Sequence, residues 1–542
     1  MKYSTMMKHT LIMLGLALCI ACSETEELIK PLQIDSQTFE LPVHFYEEYT
    51  HGYNLYLSAS NGDSIYLKTL GKITGNYSVV ERFHESENIS VVCEYIDVNG
   101  KHWLGKAGYI NIEKDKDNML LTFDIAFEND NSNTSRIVLS EFQKMQFLNL
   151  SNKLETVDQA EQMINEIITQ LAFNCDGELE SSLLLNYFYA SDLITPFVKA
   201  DNNYSLAREF DEVNYTPENK LLLPLWLDSY SFIDKINSLL IQLNAFNTRE
   251  KEIAEGKLKF LRAYIYFLLF DSFYNVPPIT NSLIYSIPDN YYPDDVLNLM
   301  EQDIKESIPL LPNDTPTNRI MFNKDAAKLL LARINLIRGD LDEALIVEEI
   351  IYSNKYDLSE SYSDIFKNEN NKELIWILPL PHENEVSISE MMKDLGSLAK
   401  EDLNYESIDI RKPNTLEYNL ISKFYRVPFL PVFRYSEVLL IAAEVHLRKA
   451  NYHQALNYLN EIRARANLAN LEFSSELTLK DSIFTEAVRE FVLEGQNFMN
   501  IKKYNYFEIL VDPQNYKSAW PIPKVLPNIS LGIYQNPGYR IQ

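Results

Sequence analysis

The chain has 542 residues, 46% hydrophobic and 23% charged, with 49 basic and 77 acidic side chains and a formal net charge of −28. That apolar content excludes a disordered chain, and beyond residue 22 no segment reaches 18 uninterrupted apolar residues, which excludes a helical polytopic membrane protein. A strongly acidic balance excludes phosphate-backbone binding, which needs a basic footprint. Only 15 residues are glycine, which disfavours Gly-rich phosphate loops and leans towards helix.

Residues 1–21 read as a signal peptide: Lys2 and Lys8, then an apolar run from Leu11 to Cys22 too short to span a bilayer. The run ends Cys19-Ile20-Ala21-Cys22, which resembles a bacterial lipobox and makes Cys22 the expected lipid-attachment residue. Cys19 departs from the aliphatic residue usual at its position. Residues 22–29 follow as an acidic tether containing Ser23-Glu24-Thr25-Glu26-Glu27, similar to a surface-export signal. Cys93 and Cys175 are then the only thiols left, and spacing does not say whether they pair.

Residues 30–147 alternate apolar and polar side chains in short runs, at 53–58, 64–70, 89–96 and 119–127. Turn residues separate them at Asn61-Gly62-Asp63, Gly75-Asn76 and Asn99-Gly100, the last a hairpin signal between 95–98 and 102–104. This spacing predicts a β-rich, sandwich-like domain. Residues 128–133 read as an exposed loop and lack the glycine and terminal glutamate of a calcium loop.

From about residue 150 the period becomes helical. Residues 154–173, 224–244 and 252–273 read as helices, and between Phe260 and Phe270 every residue except Arg262 is apolar, so the third is buried on nearly all sides. Residues 324–337, capped by Asn323 and stopped at Gly339, pair with 341–353. Ala332 and Ala344 would sit where those two helices cross. Residues 434–449 and 453–466 form a second such hairpin, and 224–244 with 252–273 a looser third. The size and pattern are those of tetratricopeptide-type hairpins, which stack into binding scaffolds.

Several blocks of residues 150–542 resemble the SusD/RagB family of outer-membrane nutrient-binding lipoproteins. They are 255–280 (EGKLKFLRAYIYFLLFDSFYNVPPIT), 301–312 (EQDIKESIPLLP), 326–356, 433–468, 486–503, and the closing Trp520-Pro521-Ile522-Pro523 with Gln535-Asn536-Pro537-Gly538-Tyr539. The fold class that follows is mainly α, a SusD-like helical body behind the β-rich N-terminal domain. Departures are the front β unit itself, a short stretch between Trp376 and Asp409, and Asn497 and Asn500 where the family usually has Arg and Asp. The resemblance implies a surface-exposed, lipid-anchored outer-membrane protein that binds an oligosaccharide or peptide. It would deliver this nutrient, as a lid, to a SusC-like TonB-dependent barrel, with no cofactor and no catalysis. A second reading of the same residues is a surface adhesin or scaffold that uses the front β domain to hold another protein.

Arg434 and Glu437, with Arg463 and Arg465, are expected to pair across the second hairpin rather than bind an anion. Glu494-Gly495 reads as a bend or close packing contact, and Trp520 as an anchor for the C-terminal segment. The eight histidines offer no metal-ligand spacing: His446 and His453 flank a turn, and His382-Glu383 lacks a second histidine four residues on. No nucleophile elbow, P-loop or dinucleotide fingerprint occurs. Candidate ligand residues are loop aromatics: Tyr285, Tyr291 and Tyr292 in a Pro/Asp/Asn-rich connection, and Tyr405 in a polar stretch. Aromatic faces stack on the C–H side of sugar rings and on peptide groups alike.

Overall fold

The computed structural model describes the strands between residues 32 and 149 with Asn129, and then residues 154, 156–172, 183–199, 205–219, 221–280, 291–313, 322–380, 398–399, 405–417, 420–421, 423, 427–523 and 535–539. Residues 1–31, with Cys22, and also Cys175, Tyr285 and His382 lie outside the described residues. The described residues divide into two compact units, one within Met1–Lys153 and one within Leu154–Thr280, Ser286–Lys524 and Gln535–Gln542.

The first unit is built on strands β1 (Leu32–Ile34), β2 (Gln37–Phe39), β3 (Val43–Tyr49), β4 (Gly52–Ser58), β5 (Ser64–Leu70), β6 (Gly75–Val79), β7 (Ser90–Ile96), β8 (His102–Asp115), β9 (Asn118–Glu128), β10 (Thr134–Met145) and β11 (Leu148–Asn149). Their order is β11-β3-β4-β5-β7-β6-β8-β9-β10-β1-β2. The period-2 pattern works as the sequence predicts. Ile65 and Leu67 on β5, Val91, Cys93 and Tyr95 on β7, and Phe123, Ile125 and Phe127 on β9 are all buried, so every second residue faces the core. β7 and β8 pair antiparallel from Ile96 opposite His102, as a hairpin around Asn99-Gly100 requires.

Two details differ from expectation. Gly75 and Asn76 do not turn the chain but open β6, paired with Ile112 and Asn111 of β8. The strands also form one sheet continuous in hydrogen bonding rather than two. The reason is the length of β8: its start pairs with β7 and its far half with β6, which bridges what would otherwise be a gap.

The second unit contains α1 (Val157–Ala172), α2 (Leu183–Leu193), α3 (Ser205–Asp211), α4 (Leu222–Leu243), α5 (Arg249–Phe273), α6 (Pro293–Leu310), α7 (Lys324–Arg338), α8 (Leu341–Ala344), α9 (Val347–Tyr352), α10 (Lys412–Thr415), α11 (Tyr435–Arg448), α12 (Tyr452–Arg465), α13 (Glu476–Phe491), α14 (Asn497–Lys503) and α15 (Phe507–Leu510). Helix α5 is the spine. Thr248 caps it by accepting from the Lys251 N–H at 3.2 Å, and it packs against α1, α4 and α6. Its buried charges are paired: Arg262 makes a two-pronged bond to Asp303 at 2.7 and 2.8 Å and also donates to Asn237, Lys257 meets Glu161 at 2.7 Å, and Asp271 meets Lys502 at 2.8 Å.

All three predicted hairpins are present: α7 with α8 and α9, α11 with α12, and α4 with α5. Asn323 Oδ1 accepts from the Ala326 N–H at 2.9 Å to start α7, and Gly339, at φ +83°, ends it. Ala332 and Ala344 are fully buried, as a close crossing requires. The expected single helix over 341–353 is broken into α8 and α9. At Leu345 and Ile346 the backbone bonds tighten to three-residue spacing, to Asp342 and Glu343. The β-branched Ile346-Val347 pair is a poor helix centre.

A two-stranded antiparallel ribbon, β12 (Leu374–Pro379) with β13 (Phe429–Arg434), was not legible in the sequence. Trp376 on β12 is fully buried, with Phe260, Tyr264, Phe322 and Phe433 ring centroids 4.9–5.3 Å away.

Candidate functional site

The charged residues singled out in the sequence gather in the core. Arg434, the last residue of β13, meets Glu373 at 2.6 Å, Glu490 of α13 at 2.8 Å and Glu494 at 2.7 Å. Arg465 at the end of α12 bonds Glu490 at 2.5 Å, and Arg463 meets Glu486 at 3.1 Å. Arg411 reaches Asp409, Glu486 and Glu490 at 2.7, 2.6 and 3.0 Å, and Lys423 bonds Glu494. Five cations (Arg411, Lys423, Arg434, Arg463, Arg465) thus face five acids (Glu373, Asp409, Glu486, Glu490, Glu494), so the cluster neutralises itself and leaves no charge for an external anion.

Pairing is as expected, but not across the α11–α12 hairpin. The partners lie on α13, beside β12 and at Asp409, while Glu437 pairs instead with Arg333 of α7. Burial raises the Glu490 carboxyl, but Arg465, Arg434 and Arg411 outweigh it and hold Glu490 well below the usual carboxylate range. Burial lowers Lys423 to about 8.

Asn497 and Asn500 have a local consequence. Asn497 donates to Asp192 of α2 at 2.7 Å, where an arginine would have supplied a charge. Burial then pushes the Asp192 carboxyl up to about 7. Asn500 lines a cavity of about 20 Å³, room for about one water, together with Arg333, Glu437 and Glu444. Gly495 is a close packing contact, because a Cβ there would lie 2.4 Å from Cδ1 of Phe188. Trp520 is an anchor. It is buried, stacks on Phe498 at 5.3 Å, meets Phe210 edge-on at 5.2 Å, and donates its backbone N–H to Ser272.

The candidate ligand tyrosines separate. Tyr405, expected as an exposed loop aromatic, is buried, donates its hydroxyl to the Arg489 carbonyl at 2.6 Å and packs beside Arg411. It is a support of the ionic cluster: Glu406 and Ser407 beside it are exposed, but the ring turns inward with Asp409 and Arg411, which are buried. Tyr292 is 66% exposed at the start of α6, where its N–H donates to Asp295 at 2.8 Å. Tyr291 is half-buried, close enough to buried Tyr230 to add to the burial that raises that phenol.

The connection from α5 towards these tyrosines is held firmly at its start. Tyr266 Oη accepts from the Ile279 N–H at 2.5 Å, and Tyr230 Oη and Asn237 donate to the Pro277 and Ile279 carbonyls.

Sequence reasoning passed over several exposed aromatics, among them Tyr109, Tyr352 and Tyr516, and two more bear on a surface that could stack. Tyr274 ends α5 in a γ-turn at φ +60°, ψ −60°, with the Asn275 N–H donating to the Phe273 carbonyl, and is 54% exposed. Phe473 is 46% exposed and stacks on Tyr452, with centroids 4.5 Å apart and planes 13° from parallel. Its signal was a lone aromatic in the polar run Glu472-Phe473-Ser474-Ser475. These faces can bind a flat apolar surface by stacking. Among the described residues no group of His, Cys, Asp and Glu is arranged to hold a metal, and no helix is long and apolar enough to cross a membrane.

Comparison with known proteins gives two family matches. The model described as the SusD family matches residues 421–518, and the model described as starch-binding associating with outer membrane matches residues 146–336. No curated protein matches the chain. A solved SusD superfamily protein from Bacteroides vulgatus ATCC 8482 is similar at 19% identity and TM-score 0.62, over 72% of this chain and 100% of that one. One from Bacteroides thetaiotaomicron VPI-5482 is similar at 21% identity and TM-score 0.59, over 70% and 100%. Surface glycan-binding protein A from Bacteroides thetaiotaomicron, in complex with laminarihexaose, is similar at 20% identity and TM-score 0.58, over 70% and 98%. At such identities the likeness is one of fold. Neither family match includes any residue before 146.

Proposed function

Because this chain belongs to the SusD family, we propose that it is a surface-exposed, lipid-anchored outer-membrane protein that captures an oligosaccharide. It delivers the ligand to a SusC-like TonB-dependent barrel as its lid. The protein binds and hands over, without catalysis. The observation that carries this reading is the pair of family matches on the helical unit, one of them described as starch-binding associating with outer membrane. The similar fold of a surface glycan-binding protein solved with laminarihexaose supports an oligosaccharide over a peptide.

Cys22 carries the lipid. Tyr291 and Tyr292, with Tyr274 at the end of α5, supply the stacking faces. Tyr274 and Tyr292, both exposed, suit this task because one face stacks on sugar C–H groups while the hydroxyl stays in water. The self-neutralised core has the role of holding the helices that present them.

The test is affinity capture of the native protein from detergent-solubilised outer membranes, with mass spectrometry of its companions. A stoichiometric TonB-dependent barrel is the expected result. Capture of the protein with no barrel would overturn the delivery role. It would favour a surface adhesin or scaffold working through the front β unit, the part outside both family matches.

A further inference from the structure

Between the first turns of α12 and the loop that leads into α13 lies an open cleft of about 410 Å³. That is at the lower end of the roughly 300–1,000 Å³ typical of small-molecule sites. We infer that this cleft is a carbohydrate site that takes the end of a neutral oligosaccharide. The inference rests on the glycan-binding reading above and adds a place and a ligand class to it, on elements other than the α5–α6 connection.

The cleft is lined by Tyr452, His453, Leu456 and Asn457 of α12 and by Glu472 and Phe473 of the loop. Its floor is apolar, since Leu456 is buried. Its wall is the stacked Tyr452–Phe473 pair. Tyr452 covers one face of Phe473, yet the ring remains 46% exposed, so its other side is held towards water. An exposed phenyl ring in a loop contributes nothing to the core, and the C–H face of a pyranose is a natural cover for it.

The wall is built before any ligand arrives. Asn460 clamps the loop from both sides, donating to the Leu471 carbonyl at 3.0 Å and accepting the Leu471 N–H at 2.8 Å. Arg463 Nε donates to the Ala469 carbonyl at 3.0 Å, and Tyr452 Oη to Glu476 at 2.9 Å. A preformed wall lowers the ordering cost of binding.

The rim supplies hydroxyl-matching groups. His453, Asn457 and Glu472 are all exposed beside the aromatic pair, and together they offer an imidazole, an amide and a carboxylate. Such a set both donates to and accepts from adjacent sugar hydroxyls. The carboxylate, within a chain of net charge −28, opposes uronic or sulfated sugars, so the ligand is neutral. Among the described residues no strand edge borders the cleft to pair with an extended peptide.

The test is calorimetric titration of the full-length protein with laminarihexaose, maltohexaose, cellohexaose, xylohexaose and mannohexaose. Whichever hexaose binds should bind Phe473→Ala roughly tenfold more weakly. Asn457→Ala, an exposed position whose change leaves the fold intact, should weaken binding several-fold, and Phe473→Tyr should restore it. Unchanged affinity in both Phe473→Ala and Asn457→Ala, with loss in Tyr292→Ala, would overturn the cleft while leaving the glycan reading standing. Binding of none of the five by the unaltered protein would overturn both.

Discussion

Arg434 and Glu494 face each other through two parallel hydrogen bonds, Nε to Oε2 at 2.7 Å and Nη2 to Oε1 at 2.8 Å, with both side chains buried. They lie 60 residues apart in sequence. Arg434 also reaches Glu373 and Glu490, so one guanidinium ties the end of β13 to three acids from two distant places in the chain. Arg434→Ala should destabilise the helical unit by about 3–5 kcal/mol, because it strands buried carboxylates. Arg434→Lys should recover only part, since an ammonium cannot make the planar two-pronged contact. Urea unfolding of the three proteins checks this, and full recovery by lysine would refute the geometric argument.

Glu490 gives a pH prediction of defined sign. Its carboxyl is held well below the usual range in the folded protein, by Arg465, Arg434 and Arg411 acting against burial. A depressed folded pKa contributes stability above the unfolded value, near 4.5, and loses it as the pH falls through the folded value. Glu490→Gln should therefore be less stable than the parent at neutral pH. The gap should narrow on acidification below pH 4.5, as read from urea midpoints at a series of pH values.

Asp192 behaves oppositely. Burial raises its carboxyl from 3.8 to about 7, so the folded state keeps a proton that the unfolded chain releases. Its penalty is absent below pH 3.8, grows between 3.8 and 7, and is constant above. Asp192→Asn keeps an oxygen for the Asn497 amide and removes the penalty. The variant should match the parent near pH 4 and exceed it at pH 8 by on the order of a few kcal/mol. Equal stabilities at pH 8 would show that Asp192 is not pressed in this way.

Gly495 sits at φ +71°, and a Cβ there would lie 2.4 Å from Phe188. Gly495→Ala should cost on the order of 2–4 kcal/mol, from left-handed backbone strain and overpacking together. Phe188→Leu in the same chain should relieve the steric part only. A double-mutant cycle in urea separates the two, and strict additivity would place the cost in the backbone alone.

Cys22→Ala should abolish incorporation of labelled fatty acid and release the protein from the membrane fraction, because the acyl chains are its proposed anchor. Labelling that persists in the variant would refute lipid attachment at Cys22.

The sequence by itself determined element type and order wherever the governing interactions are local. Alternation at 64–70 and 119–127 became β5 and β9, and Asn323 and Gly339 marked the ends of α7, because pleat, cap and left-handed turn each involve residues a few positions apart. The family resemblance was legible for the same reason, as blocks of contiguous residues. Tertiary structure alone decided which distant residues converge. Arg411 and Glu490 are 79 positions apart, and Tyr405 and Arg489 are 84, so no spacing rule links them. For Tyr405 that convergence buried a ring which its polar neighbours had suggested was exposed. For Phe473 the opposite held: stacking on Tyr452 and the Asn460 clamp fixed the loop while leaving the ring at the surface. Burial depends on what the rest of the chain brings to a position, and composition along the chain does not encode that locally.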